Sequence, residues 1–361
     1  MSRTSPRRRS RPWLAVWALI AAVGVAALAT GTGTGASAAD GSPDARLLRT
    51  YQPVLVFHPN ELFRPTKVQS FVEDSELERF VGSSALQLPL DAFWTVVDPD
   101  PEPGELPPVT PGVFYRLDQT GCEADSTLAG QSCYAAAWRE GSGGDAMYGR
   151  VVRTDTRIML QYWVFYYDNP LILPPTPFGS FWQSHEGDWE VVNVILGPDE
   201  SPLEAAYSQH CSGQRKAWSG VTKSPAGSSH PVAYVALGSH ANYFAPGAGA
   251  LGAVPINPAC IPSSLPPLPF PVVDQVRDGS GVGAVVGPPG SGVDGATIHE
   301  IEGQTWSGFG GRWGESEYFF TPVAFPGVPA NSAVPVGLAP ASPANQANWN
   351  AQIVLGWPLA P

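Results

Sequence analysis

Apolar residues along this chain come in short bursts separated by Gly, Pro and Asn. The bursts are Tyr51 to Phe57 (YQPVLVF), Val113 to Leu117, Ser132 to Trp138, Arg157 to Tyr167, Asp188 to Leu196, Leu203 to Gln209 and Pro231 to Leu237. Each is rich in β-branched and aromatic residues and bounded by turn formers, the pattern of strands. The run RIMLQYWVFYY (157–167) has no polar face, which predicts a central strand covered on both sides. Only Ser70 to Gly82 shows a short helical pattern, with Phe71, Leu77 and Phe80 among acidic residues. Thr297 to Ile301 and Tyr318 to Val323 would add late strands. The pattern predicts an all-β protein with little helix, built as a β-sandwich with long Gly/Pro-rich loops.

Composition sharpens this picture. The 361 residues include 39 Gly and 39 Pro, and 20 of the 51 residues from 246 to 296 are Gly or Pro. That density is incompatible with a helix or a central strand, so this stretch reads as a surface insertion. From Pro326 onward a Pro/Ala-rich tail is expected to wrap the surface, with Trp349 and Trp357 as anchors. Residues 1–39 carry five Arg, an apolar stretch from Trp13 to Ala29 and a small-residue region ending at Ala38-Ala39. This is the layout of a cleaved signal peptide, and the protein is expected to be secreted or extracytoplasmic. The alternative is a signal anchor, since about 17 apolar residues reach the lower limit for spanning a bilayer. Residues 40–361 would then form one β-sandwich domain.

The formal charge is −12, and removal of the leader leaves 15 basic against 32 acidic residues, or −17. Such a surface repels nucleic acid, and no nucleic-acid partner is expected. No Gly loop with G-K-[ST] is present, so no nucleotide is expected either. There is no G-x-S-x-G elbow. Four cysteines in an exported chain predict two disulfides, and the sequential pairing of Cys122 with Cys133 and Cys211 with Cys260 is the simplest of three connectivities.

The densest chemistry lies in Ser184-His-Glu-Gly-Asp-Trp-Glu190. It is not the H-E-x-x-H zinc motif, because Trp189 stands where the second His belongs. In a strand, Asp188 and Glu190 share a face, and Gly187 could turn His185 back over it. Two carboxylates and an imidazole suit Mg²⁺ or Ca²⁺, with Zn²⁺ or Mn²⁺ as alternatives. Asp168, ending the preceding strand, is placed to add a carboxylate, although an Asx-turn before Asn169-Pro170 is the plainer use. A second polar knot, Gly238-Ser-His-Ala-Asn-Tyr243, could line the same cavity through Ser239, His240 and Tyr243. A solvated strand edge would account for Asp188 and Glu190 without any ion.

Tyr51 to Asn60, Gln161 to Tyr167, His185 to Val192, Ala236 to Tyr243 and Gly311-Arg-Trp-Gly314, in this order, resemble the vacuolar protein sorting-associated protein sixty-two family. The H-E-G-D-W-E run is also similar to the G-H-R-H-D-W-E signature of the necrosis- and ethylene-inducing-peptide-like toxins. That resemblance implies a secreted jelly-roll or actinoporin-like β-sandwich with a divalent cation at the signature and an action on membrane glycolipids. It places metal-binding residues at His185, Asp188 and Glu190, with Asp168 the nearest match to a further Asp. Glu186-Gly187 stands where the toxins have Arg-His. The expected function is a cation-dependent glycan- or lipid-headgroup-binding module. The alternatives are an exported metal-dependent hydrolase and a purely structural surface protein.

Overall fold

The computed structural model describes residues 41–81, 94–122, 128–141, 145–172, 182–210, 212–246, 283–290, 293–315, 317–320 and 333–360. Residues 1–39, read above as a signal peptide, most of the 246–296 stretch, Cys211 and Cys260 lie outside these residues.

The chain is mostly sheet with little helix. In order it forms α1 (Pro43–Thr50), β1 (Val54–Phe57), α2 (Val68–Glu73), β2 (Ser75–Val81), β3 (Thr95–Asp98), β4 (Val113–Gln119), α3 (Leu128–Gly141), β5 (Ala146–Arg153), β6 (Ile158–Ile172), β7 (Trp182–Leu196), β8 (Pro202–Gln209) and β9 (Ser212–Ala217). There follow β10 (Val232–Val235), β11 (Asn242–Tyr243), β12 (Val285–Gly287), β13 (Asp294–Gly295), β14 (Thr297–Glu300), β15 (Glu317–Phe320), β16 (Ala333–Gly337) and α4 (Ala351–Leu355).

The central layer is a six-stranded sheet in the order β14-β5-β6-β7-β8-β9. Its even-numbered β6 and β7 residues, among them Tyr162, Val164, Tyr166, Val192 and Val194, pack with Leu55, Phe57, Ala233 and Val235 of a second sheet. That second sheet has the order β11-β10-β1-β12-β13. The opposite face of β6 and β7 presents Trp163, Phe165, Tyr167, Trp189 and Val191 to Phe71, Leu117, Tyr134, Trp306 and Trp313. These come from α2, β4, α3 and the segment after β14. The apolar run of β6 is therefore buried on both faces, as its pattern requires.

Three local readings are corrected by the structure. Ser70 to Gly82 is not one helix: α2 ends at Glu73, and β2 follows at once, paired along its length with β4. Ser132 to Trp138 is helical, within α3, where three consecutive Ala outweigh the aromatic bias toward strand. The Gly/Pro-rich 246–296 stretch does supply a central strand, because β12 sits between β1 and β13. Three residues suffice there, since Val286 fills the inter-sheet core.

Cys122 and Cys133 form a disulfide that ties the end of β4 to α3. Near the C-terminus the backbone hydrogen-bonds along β9 at Arg215, covering an otherwise open sheet edge. Trp357 is buried there against Gly213, and Trp349 lies under the Arg150 guanidinium at 3.7 Å. No helix among the described residues is long and apolar enough to cross a membrane.

Candidate functional site

β7 runs unbroken through the H-E-G-D-W-E segment and pairs with β6 in an antiparallel ladder. His185 therefore lies inside the strand, not in a turn before it. Gly187 has φ +58, so the strand is kinked at that point. The kink breaks the usual alternation. Glu186 reaches Tyr134 and Glu315 on one side, while Asp188 reaches His240 on the other.

A close approach explains the glycine. A Cβ on Gly187 would sit 2.1 Å from the Trp313 carbonyl oxygen, and one on Gly314 would sit 2.4 Å from Glu186. The Gly311-Arg-Trp-Gly314 motif is thus clamped on the kink. The Glu186 amide donates to the Glu315 carbonyl at 3.1 Å, and the Glu315 amide donates to Glu186 Oε2 at 2.9 Å.

His185 is buried, and its Nδ1 lies 2.8 Å from the Gly187 carbonyl oxygen. A carbonyl can only accept, so Nδ1 carries the proton. Nε2 then bears a lone pair, which accepts from the Asn169 amide at 2.9 Å. Burial pushes the His185 pKa down and keeps the ring neutral. The hydrogen bond on Nδ1 fixes Nε2 as the acceptor nitrogen, the tautomer a metal-ligating histidine adopts, and here the Asn169 amide occupies its lone pair.

Asp188 points to the inter-sheet side. Its Oδ2 accepts from His240 Nδ1 at 3.0 Å. His240 Nε2 faces Glu61 Oε1 at 3.5 Å, an ion-pair distance. Glu61 in turn accepts from the Gly238 and Phe63 amides at 2.8 and 2.9 Å. The His240 ring lies flat on Tyr166, with centroids 3.8 Å apart and planes 3° apart. Burial alone would depress the His240 pKa, but the Glu61 and Asp188 carboxylates outweigh it and raise the pKa to about 9. Burial likewise works against the Glu61 charge, yet the His240 cation holds its carboxyl below the ordinary value. His240 also has φ +53, a left-handed conformation rare outside glycine.

Glu190, one strand repeat further on, accepts from the Ser208 hydroxyl. Asp168 sits opposite Glu186 in the ladder, not opposite Asp188. Burial and the nearby Glu186 charge push the Asp168 pKa well up. Ser239 is buried in the turn before His240, and Tyr243 pairs with Tyr234 across β11 and β10.

Glu61, Asn169, Gln209 and Asn242 join this neighbourhood without having been expected from the sequence. A signal for Glu61 existed. β1 and β10 pair in parallel, so the residues that follow them, Glu61 and Gly238 to His240, must meet at one end of the sheet.

Among the described residues, one acidic group brings its ligand atoms within 4.8 Å of one another, and it is a different one: Asp118, Glu186 and Glu315. Arg116 already serves it, with contacts to Asp118 at 3.0 Å, Glu315 at 3.5 Å and Glu78 at 2.6 Å. Burial and the Glu315 charge raise the Glu186 pKa to about 8. A guanidinium and a shared proton satisfy these carboxyls.

No protein-family model matches the chain, so the vacuolar-sorting resemblance gains no support. No curated protein matches either. Among solved structures, the chain is similar to proteins with the necrosis- and ethylene-inducing toxin fold. NLPPya in complex with mannosamine is 10% identical and covers 75% of this chain and 81% of its own, with a TM-score of 0.33. The non-toxic HaNLP3 protein is 14% identical over 74% and 76%, with a TM-score of 0.28. Necrosis and Ethylene inducing Protein 2 from the causal agent of cocoa's Witches Broom disease is 17% identical over 59% and 72%, with a TM-score of 0.27.

Proposed function

We propose that the chain is an extracytoplasmic, jelly-roll or actinoporin-like β-sandwich protein that binds one divalent cation, Mg²⁺ or Ca²⁺, through His185, Asp188 and Glu190. The cation gives an acidic surface a local positive contact for a glycan or lipid headgroup. The observation that carries this reading is the state of His185: neutral, buried, its Nδ1–H given to the Gly187 carbonyl, so that Nε2 is the acceptor nitrogen, which the Asn169 amide holds and a cation would take over. Asp188 accepts from His240 and Glu190 accepts from Ser208, which fixes the orientation of both carboxylates. Such outer partners are what orient ligands in metal sites. Asp168 is a candidate further ligand from β6.

A metal-dependent hydrolase would need a base near the cation. In the metal-free protein His240 holds its proton between Asp188 and Glu61 and is not a free base. The test is calorimetric titration of the protein with Ca²⁺, Mg²⁺ and Zn²⁺ beside Asp188→Ala. Saturable binding in the parent and none in the variant is expected. Identical titrations in both would overturn the proposal.

A further inference from the structure

Charge is spread unevenly along this chain. From Glu73 to Glu105 there are nine acidic residues and one basic residue, Arg79. From Ala205 to Val273 there is no Asp or Glu, while Arg215, Lys216 and Lys223 fall inside that stretch. The fold gathers each bias on one surface. The acidic stretch supplies β2, β3 and the loop after β3, where Glu73, Asp100 and Glu102 are exposed. Burial raises the Glu73 pKa, and the negative charges of Glu102, Asp74 and Asp100 raise it further, so these carboxylates crowd one another. Val96 and Val97, just before Asp98 on β3, are left 42% and 41% exposed.

The acid-free stretch supplies β9 and the turn that follows it. Arg215 is paired there with Glu204 at 2.8 Å. Lys216 Nζ lies 5.9 Å from the centre of the Phe244 ring, and Lys223 Nζ lies 4.7 Å from that of Trp218. Lys223 also donates to the Trp218 carbonyl oxygen. Leu359, bridged to Arg215 along the same edge, is 64% exposed. Phe244 and Val221 of this surface are rooted in the inter-sheet core, whereas Leu77 and Leu117 under the acidic surface belong to the core on the other face of the central sheet. One chain therefore carries two complementary surfaces that it cannot bring together by itself.

We infer that the acidic β2–β3 surface of one copy docks on the basic β9 surface of a second copy, head to tail. Each surface joins exposed apolar side chains to charge of one sign, the make-up of an interface with a charged rim. A polyanion or an anionic bilayer would meet the basic surface alone and leave the acidic one, with Val96 and Val97, uncovered; a second copy satisfies both. The contact is heterologous, so every pair keeps one free surface of each kind and copies add in an open row. The net charge of −17 on residues 40–361 opposes association at long range. At about 0.15 M salt the Debye length is only about 8 Å, so repulsion between whole molecules fades while charges in contact still act. Exposed ion pairs are individually weak, which makes this a reversible association seen at high protein concentration. It involves none of His185, Asp188 and Glu190 and goes beyond the cation reading.

Sedimentation equilibrium of the full chain, from about 10 µM to about 1 mM and with chelator present so that no metal bridges two copies, tests it. The weight-average mass should rise at least about 1.5-fold over this range at about 0.15 M salt and stay monomeric at about 1 M, where the Debye length is about 3 Å. Lys216→Glu with Lys223→Glu should be monomeric at both, and so should Asp100→Lys with Glu102→Lys. An equal mixture of the two double variants restores opposite charge at every contact and should associate again. Circular dichroism confirms that each variant is folded; should the lysine variant not fold, the Asp100 and Glu102 variant, changed only at exposed loop positions, decides alone. A parent that is monomeric at both salt concentrations overturns the inference, as does association that survives in the variants or at high salt, or a mixture that stays monomeric. A monomeric parent that binds anionic vesicles would assign the basic surface to a lipid partner and equally overturn it. None of these results bears on metal uptake, so the cation reading stands or falls separately.

Discussion

Gly187 is the residue on which the site turns. Its positive φ sends Glu186 and Asp188 to opposite sides of one strand, and its missing side chain admits the Trp313 carbonyl. Gly187→Ala would impose a left-handed Ala and an impossible 2.1 Å contact with backbone. A loss of about 2–4 kcal/mol is expected, read as a lower denaturation midpoint with an unchanged m-value. The sequence exposed this glycine as a turn before a strand. The kink inside a continuous strand was not readable, because the partner that demands it, Trp313, lies more than a hundred residues away in the chain. His185, Asp188 and Glu190 were legible as a local cluster. Glu61, Gln209 and Asn242 were not, since ladders between distant strands bring them there.

At the level of elements, periodicity was reliable where both faces of a strand are buried and misleading where a short helix meets a strand. β6 and the Asp188–Leu196 part of β7 could be read directly, β6 because an eleven-residue apolar run fits nothing else in a Gly/Pro-rich chain. β2 was hidden in an apparently helical pattern, since Leu77 and Phe80 of the strand are three residues apart and follow closely on Phe71 of α2. α3 was hidden by its aromatic residues. The Cys122–Cys133 bridge joins α3 to β4, and α3 supplies Tyr134 to Glu186 at 2.8 Å. The bridge closes a short loop, a sequence separation of 11. Its removal by Cys122→Ser with Cys133→Ser should cost about 3 kcal/mol, through a freer unfolded chain, in chemical denaturation under non-reducing conditions.

Over the whole molecule, two buried groups with raised pKa values set the pH response. Glu186 keeps a proton up to pH about 8 in the folded state but loses it near its ordinary value of 4.5 when unfolded. His240 keeps its proton up to about 9, against 6.5 when unfolded. In each case the folded state binds more protons across the interval, so stability falls as pH rises. The Glu186 contribution is complete below pH 4.5 and is lost by about 8; the His240 contribution is complete below 6.5 and is lost by about 9. Metal-free protein should therefore lose stability most steeply between pH 6.5 and 8, where each group contributes on the order of 1.4 kcal/mol per pH unit. Glu186→Gln should remove the part of the slope that lies below pH 6.5. Thermal melts across that range check both statements.

The same scale carries the central claim. A chain this acidic, with a neutral imidazole and two carboxylates spaced along one kinked strand, is read as the holder of a cation. Elemental analysis of protein purified without chelator tests this most directly. One divalent ion per chain in the parent, and none in His185→Ala that retains the parent's circular dichroism, is the predicted result. A folded parent chain that carries no divalent metal and takes none up, or a variant that carries as much as the parent, would contradict it.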